Sequence, residues 1–198
     1  MALGKQAKSF SDKQTDVVLG FLQTKRNSPR DCCIFLLSRF AGLRAKEIAC
    51  LRWEMVLNSD NSVANTINLP NSASKGNSGR VVPINKKLRE KIEVHLQHEM
   101  KRPGWSHSDH VIRTERSSKT SPQVIVNMFS GWYSDLGLTG FSSHSGRRTF
   151  ITNAAKKISL VGGSIRDVQI LAGHSNLQTT QRYIDYDTES HRRIVEIV

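Results

Sequence analysis

The sequence predicts an α+β domain that is mostly α-helical and carries a small antiparallel three-stranded sheet in its first half. Three observations predict it. Apolar residues recur at one-face helical spacing along most of the chain. Three short segments with strand character are separated by Asn/Ser/Gly-rich stretches. Those strands are too few and too short for a doubly wound parallel sheet. With 198 residues, 37% of them hydrophobic, the chain can bury one sizeable core. Residues 1 to 198 therefore read as a single domain, with 1 to 10 as an N-terminal extension and 184 to 198 as a C-terminal tail.

Between residues 11 and 26, Val17, Val18, Phe21 and Leu22 fall on one helical face behind Ser9 or Ser11 as N-cap, with Asp12 suited to the positive helix end. Pro29 opens a second helix running to Phe40, apolar on nearly all sides and hence central to the core, and Gly42 is placed to end it. A short helix follows over 45 to 51. The segments 53 to 57, 64 to 69 and 80 to 84 read as strands, parted by NSDNS and NSASKGNSG. Residues 86 to 101 return to helical period through Leu88, Ile92 and Leu96 until Pro103-Gly104 stops them. Four more helices are expected at about 122 to 136, 144 to 157, 164 to 172 and 176 to 184. No internal repeat or convincing linker interrupts this order.

Charge bounds the function. Lys and Arg number 29 against 17 Asp and Glu, a net charge of +12, and both halves of the chain share the excess. A basic surface of this kind points to a polyanionic partner. No apolar run approaches the length of a membrane span, and the N-terminus MALGKQAKSFSDKQ lacks a signal-peptide core, so a cytoplasmic location is expected and no membrane partner. Cys32, Cys33 and Cys50 lack zinc-site spacing and read as reduced core residues. Without an HExxH pair or a GxxxxGK[ST] loop, neither a catalytic metal nor a nucleotide cofactor is expected, leaving the chemistry to protein side chains.

Five local pieces carry that chemistry, each weak alone. Gly42-Leu43-Arg44 precedes Ala45-Lys46-Glu47-Ile48-Ala49 and Leu51-Arg52-Trp53. Lys75 sits in the glycine-flanked turn of SASKGNSGRVVPI. His144-Ser145-Gly146-Arg147 spaces an imidazole and a guanidinium three residues apart, on one helix face. In Leu171-Ala172-Gly173-His174-Ser175, Gly173 breaks a helix and Ser175 is placed to cap the next, which puts His174 at a helix junction. Tyr183 closes the set, nine residues after His174.

In this order and spacing the pieces resemble the tyrosine recombinase (phage integrase-like) catalytic domain, from about residue 10 to the C-terminus. GLRAKEIACLRW is similar to the family's first arginine motif, SKGNSGRVVPI to its catalytic-lysine hairpin, HSGRR to its HxxR box and AGHSNLQTTQRYI to its terminal box. Two departures are small: Ser145-Gly146 stands where Asp-Leu is frequent, and Leu-Ala-Gly-His replaces Leu-Gly-His. A larger one is the expected absence of the N-terminal DNA-binding domain that most members carry.

The resemblance implies a site-specific recombinase or integrase of a mobile element. It would cut and rejoin double-stranded DNA through a 3′-phosphotyrosyl intermediate, assembling as a synaptic tetramer on nucleoid DNA. It implies Tyr183 as nucleophile, Arg44 and Arg147 on the non-bridging phosphate oxygens, and His144 as acceptor of the tyrosine proton. His174 would donate to a phosphate oxygen, Lys75 would protonate the departing 5′-oxygen, and Glu47 would orient an arginine or a histidine. Guanidinium suits the first task because it stays charged and donates two parallel hydrogen bonds. A phenol of ordinary pKa about 10 needs such a positive, proton-accepting pocket to react at neutral pH.

Of the three tyrosines, Tyr133 lies in an aromatic run with Phe129 and Trp132 and reads as core. Tyr186 is the rival nucleophile, but Asp185 and Asp187 flank it, and negative neighbours oppose phenolate formation. Two other readings stay open at this level: a type IB topoisomerase-like enzyme, and a basic DNA-binding module that does not cut. The tail leans acidic through Asp185, Asp187, Glu189 and Glu196 and carries Ile194, Val195, Ile197 and Val198, so it is expected to pack on protein, on a neighbouring subunit, and not on DNA.

Overall fold

A computed structural model describes residues 7–73, 79–183 and 195–196. Among the described residues, eight α-helices and a two-stranded sheet follow one another as α1 (Asp12–Gln23), α2 (Ser28–Phe40), α3 (Ala45–Cys50), β1 (Thr66–Leu69), β2 (Arg80–Pro83), α4 (Lys86–Met100), α5 (Pro122–Asp135), α6 (Ser145–Lys157), α7 (Ile165–Ala172) and α8 (Leu177–Gln181). Local chemistry sets the boundaries. Ser11 and Gln14 form a reciprocal capping box at the start of α1. Asn85 and Ser121 accept from backbone N–H groups at the starts of α4 and α5. Gly42 follows α2 at φ +63°, where a Cβ would stand 2.4 Å from the Phe150 ring. Among the described residues, no helix is long and apolar enough to cross a membrane.

The sheet corrects the expectation of three strands. β1 and β2 pair antiparallel from Thr66 opposite Pro83 to Leu69 opposite Arg80. Residues 53 to 57 do not join them. A 3₁₀ turn, Trp53–Met55, occupies that place. Its backbone donors go elsewhere: the Trp53 N–H donates to the Asp109 carbonyl at 3.1 Å and the Glu54 N–H to the His107 carbonyl at 2.9 Å. Trp53 is fully buried with its ring beside His95 and Trp105. Burial of that indole over three neighbouring segments outweighs the strand preference of the run. A second, smaller correction is that Asn176, not Ser175, caps α8.

Two hydrophobic clusters hold the described residues together. The larger centres on α2, whose Cys33, Ile34, Phe35 and Leu37 are fully buried and which packs against α1, α4 and α6. Cys32, Cys33 and Cys50 are free thiols, and burial pushes the Cys33 thiol up, keeping it protonated and inert. Tyr133 lies in this cluster, as its aromatic run predicts. The smaller cluster joins Ile151, Val168 and Ala172, with Phe150, Ile158 and Tyr183 packed on it. α6 supplies Ile151 to the smaller cluster and packs closely on α2: a Cβ on Gly146 would lie 2.5 Å from the Ser38 Oγ. The departure from the usual His-Asp-Leu-Arg pattern thus has a packing reason. Gly146→Leu is expected to destabilise the protein by about 1–3 kcal/mol through overpacking. Ser38→Gly should recover part of the loss, as chemical denaturation of the single and double variants would show.

His95 marks a pH-sensitive point in the core. Its Nε2 meets the Val111 carbonyl at 2.8 Å. Burial depresses its pKa to about 4. The unfolded chain takes up a proton near pH 6.5 and the folded chain does not, so stability is lost as pH falls from about 6.5 towards 4. The full effect is up to about 3 kcal/mol for this one group. His95→Gln, which can still donate to Val111, should flatten the fall in urea midpoint between pH 7 and pH 5.

Candidate active site

The site draws its side chains from the start of α3, the start of α6, which carries both His144 and Arg147, the end of α7 and the residues after α8. Arg44 stands immediately before α3. Its Nη1 donates to the Glu47 Oε1 at 2.9 Å, its backbone N–H to Oε2 at 2.8 Å, and its Nη2 to the Gly173 carbonyl at 3.2 Å. It keeps 22% of its side chain exposed, whereas Glu47 is wholly buried. Arg147, in the first turn of α6, is buried at the floor. Its Nη1 donates to the Gly42 carbonyl at 2.5 Å, and its Nη2 to the Ala172 carbonyl at 2.6 Å and to the His174 Nε2 at 3.0 Å. Burial, then the charges of Arg44 and Arg80, press Arg147 down to about 9, which leaves it cationic at neutral pH.

His174 follows Gly173, which ends α7 in the left-handed region at φ +61°. A Cβ on Gly173 would stand 2.9 Å from the Arg80 Nη1, so both backbone and packing require glycine. Burial first, then Arg147 and Arg44, lower the His174 pKa to about 4, so the ring is neutral at pH 7. Its tautomer follows from its partners. Guanidinium can only donate, so Nε2 accepts from Arg147, and Nδ1 carries the proton and donates to the Thr180 Oγ1 at 3.0 Å. As the side chains stand, His174 holds Arg147; donation to a phosphate oxygen from Nε2 requires a second proton on the ring.

Tyr183 stacks on His174, ring centroids 5.5 Å apart and planes 24° apart, while its carbonyl accepts from the Thr152 hydroxyl at 3.1 Å. A cleft of about 340 Å³ has Tyr183, His144, Arg148 and Arg182 among its lining residues. His144 and Arg147 share a face but not a depth: His144 is exposed at the start of α6 and Arg147 is buried. Desolvation in the cleft, followed by the Arg147 and Arg44 charges, holds the His144 pKa below its ordinary value, which favours the neutral, proton-accepting ring. The structure thus gathers Arg44, Glu47, Arg147 and His174 in one bonded network, with Tyr183 stacked on it and His144 beside Tyr183. Lys75 and Tyr186 lie outside the described residues, as does most of the tail.

One charged residue of the network escapes motif reading. Arg80, at the start of β2, has only 3% of its side chain exposed and donates from Nη1 and Nη2 to both Glu47 carboxylate oxygens, at 2.8 and 3.1 Å. Its signal was present: strand alternation puts residue 80 on the same inward face as Val82 and Ile84, where an unpartnered cation would be costly. Thr180, fully buried under His174, had no such signal. Elsewhere among the described residues, His95, His98 and Glu99 lie close enough together to suggest a metal cluster. Arg102 and Arg113 stand 3.8 and 3.9 Å from Glu99 and already balance its charge, so these residues do not suit a cation.

A helical domain with a two-stranded sheet that joins Arg44, Arg147 and His174 in one bonded network, stacks Tyr183 on it and places His144 on the cleft that Tyr183 lines has the architecture of a tyrosine recombinase catalytic domain. The chain belongs to the phage integrase family, whose model matches residues 8–190. It is 30% identical over 192 residues to the tyrosine recombinase XerA of Pyrococcus horikoshii, covering 97% of this chain and 63% of that protein. It is 27% identical over 197 residues to the tyrosine recombinase XerC of Shewanella oneidensis, covering 97% of this chain and 60% of that one. Among solved structures, a XerA recombinase superposes with a TM-score of 0.72 at 19% identity, over 94% of this chain and 63% of the other. The XerH recombinase bound to a palindromic difH substrate, a post-cleavage complex, superposes with 0.75 at 17% identity, over 96% and 52%. The chain therefore spans a little under two thirds of the length of these curated relatives.

Proposed function

We propose that the chain cuts and rejoins double-stranded DNA by transesterification, as the catalytic part of a site-specific recombinase. The observation that carries this reading is the network of Arg44, Arg147 and His174 with Tyr183 stacked on it, and His144 on the cleft that Tyr183 lines. Names of the relatives, all recombinases, support strand exchange over simple relaxation of supercoils.

In this reading the Tyr183 Oη attacks the scissile phosphorus and the P–O5′ bond breaks. The phenolic proton passes to neutral His144, and Lys75 gives a proton to the departing 5′-oxygen; a 5′-hydroxyl from a second strand reverses both transfers. Arg44 and Arg147 hold the non-bridging oxygens and stabilise the charge gathered in the pentavalent transition state. His174 positions Arg147, and the added negative charge of that state favours a protonated ring, which turns Nε2 into a donor. No step calls for a metal or cofactor. Backbone phosphates beyond the cleaved one meet the remaining basic surface. Assembly as a tetramer, docking of the 184–198 tail on a neighbouring copy and residence on nucleoid DNA in the cytoplasm belong to the same reading.

Covalent trapping tests it. Nicked duplexes from the flanks of the gene, in which the cut strand cannot religate, should accumulate a protein–DNA adduct that survives denaturant. Two-site plasmids should exchange strands. A chain that relaxes supercoils without exchange, or binds with no adduct, overturns the reading.

A further inference from the structure

We propose that Arg80 is a positioning residue for the scissile phosphate: through Glu47 it sets the orientation of Arg44, and through α7 it fixes the backbone that Arg44 and Arg147 share. The inference rests on the phosphodiester chemistry proposed above. Glu47 is wholly buried, and its carboxylate receives four donations, two from Arg80 and two from Arg44. The Glu47 Oε1 accepts from both guanidinium groups, 2.9 Å from Arg44 and 2.8 Å from Arg80. A carboxylate with one arginine alone could swing about its χ angles; the fork from Arg80 removes that freedom and aims the remaining lone pair at Arg44. Burial pushes the Glu47 carboxyl up, but the Arg80 hydrogen bonds and charge, with those of Arg44, outweigh it and keep the group ionised.

The Arg80 Nε donates in turn to the Leu171 carbonyl at 2.8 Å, and the Arg80 guanidinium lies directly under Gly173. Leu171 and the next two residues form the end of α7, where the Ala172 carbonyl receives Arg147 and the Gly173 carbonyl receives Arg44. One buried side chain therefore ties the start of β2, the Arg44 segment and the α7 terminus into a single frame. Lysine cannot replace it, because one ammonium cannot make a two-pronged contact to Glu47 and reach Leu171.

The test measures single-turnover cleavage of a nicked duplex whose cut phosphate has been mapped with the unaltered 198-residue chain, comparing Arg80→Met and Arg80→Lys with it. Both variants should bind the duplex but cleave about 10- to 100-fold more slowly, the usual cost of losing an outer partner of a site group. The same duplexes are then made with a methylphosphonate at that phosphate, which removes the charge that Arg44 balances. In one of its two diastereomers the ratio of variant to unaltered rate should return close to unity. A loss of folded fraction would lower both substrates alike, so an equal defect on phosphate and methylphosphonate overturns the proposal. Relief instead by sulfur at the bridging 5′ position, a leaving group that needs no proton, assigns Arg80 to support of Lys75 and also overturns it. Failure of the unaltered chain to form any adduct defeats the transesterification reading itself, and this inference with it. If Arg80→Met does not fold, Arg80→Lys, which keeps the buried charge, carries the comparison.

Discussion

Tyr183→Phe is expected to leave DNA binding intact and to abolish the covalent adduct on nicked duplexes entirely. Only the hydroxyl is lost. The ring can still stack on His174, and the backbone carbonyl still accepts from Thr152. Cleavage has no other nucleophile in this reading, so the effect is complete and not graded. Tyr186→Phe should retain the adduct, because Asp185 and Asp187 flank that residue with negative charge. An adduct that persists in Tyr183→Phe and disappears in Tyr186→Phe would reverse the assignment.

Arg147→Lys should slow single-turnover cleavage by about 10²- to 10³-fold, the range seen when one preorganised transition-state donor is removed. Charge is conserved, so a purely Coulombic role would predict a small change. Geometry predicts a large one. The guanidinium spans the Gly42 carbonyl on one side and, at the end of α7, the Ala172 carbonyl and the His174 ring on the other. An ammonium on a flexible stem cannot hold that spread, and it releases the His174 Nε2. Affinity for duplex should change much less than rate, since most phosphate contacts lie elsewhere. A cleavage rate within a few-fold of the unaltered chain would show that charge alone suffices at this position.

Much of the helical framework was legible because its signals are local. The capping pair Ser11 and Gln14, Pro29 near the start of α2 and Gly42 after it each act within a few residues of themselves. The expected strand over 53 to 57 does not form, for the complementary reason. Residues 53 to 57 have a strand-like composition, but Trp53 is claimed by His95 and Trp105, and the backbone donors of Trp53 and Glu54 by a loop some fifty residues on. No window along the chain contains those partners.

The site divides in the same way. Spacing brought Arg44, Glu47, His144, Arg147, His174 and Tyr183 into view as residue types in a recognisable order. It left their mutual arrangement open. The role of Arg80 depends on Glu47 and on Leu171, 91 positions later, and the need for glycine at 146 on Ser38 packed against it, partners that spacing does not contain.

By itself, then, the sequence determined which reactive groups this protein carries, in what order, and on helices or turns of what kind, since capping, periodicity and glycine placement act over a turn or two of chain. Only the tertiary structure decided that His144 stands at the rim and Arg147 at the floor, that His174 is neutral with its proton on Nδ1, and that a buried carboxylate is shared by two arginines. Those outcomes depend on burial and on hydrogen bonds between residues as far apart as Arg147 and Gly42, 105 positions in the chain, and burial is a property of the packed molecule.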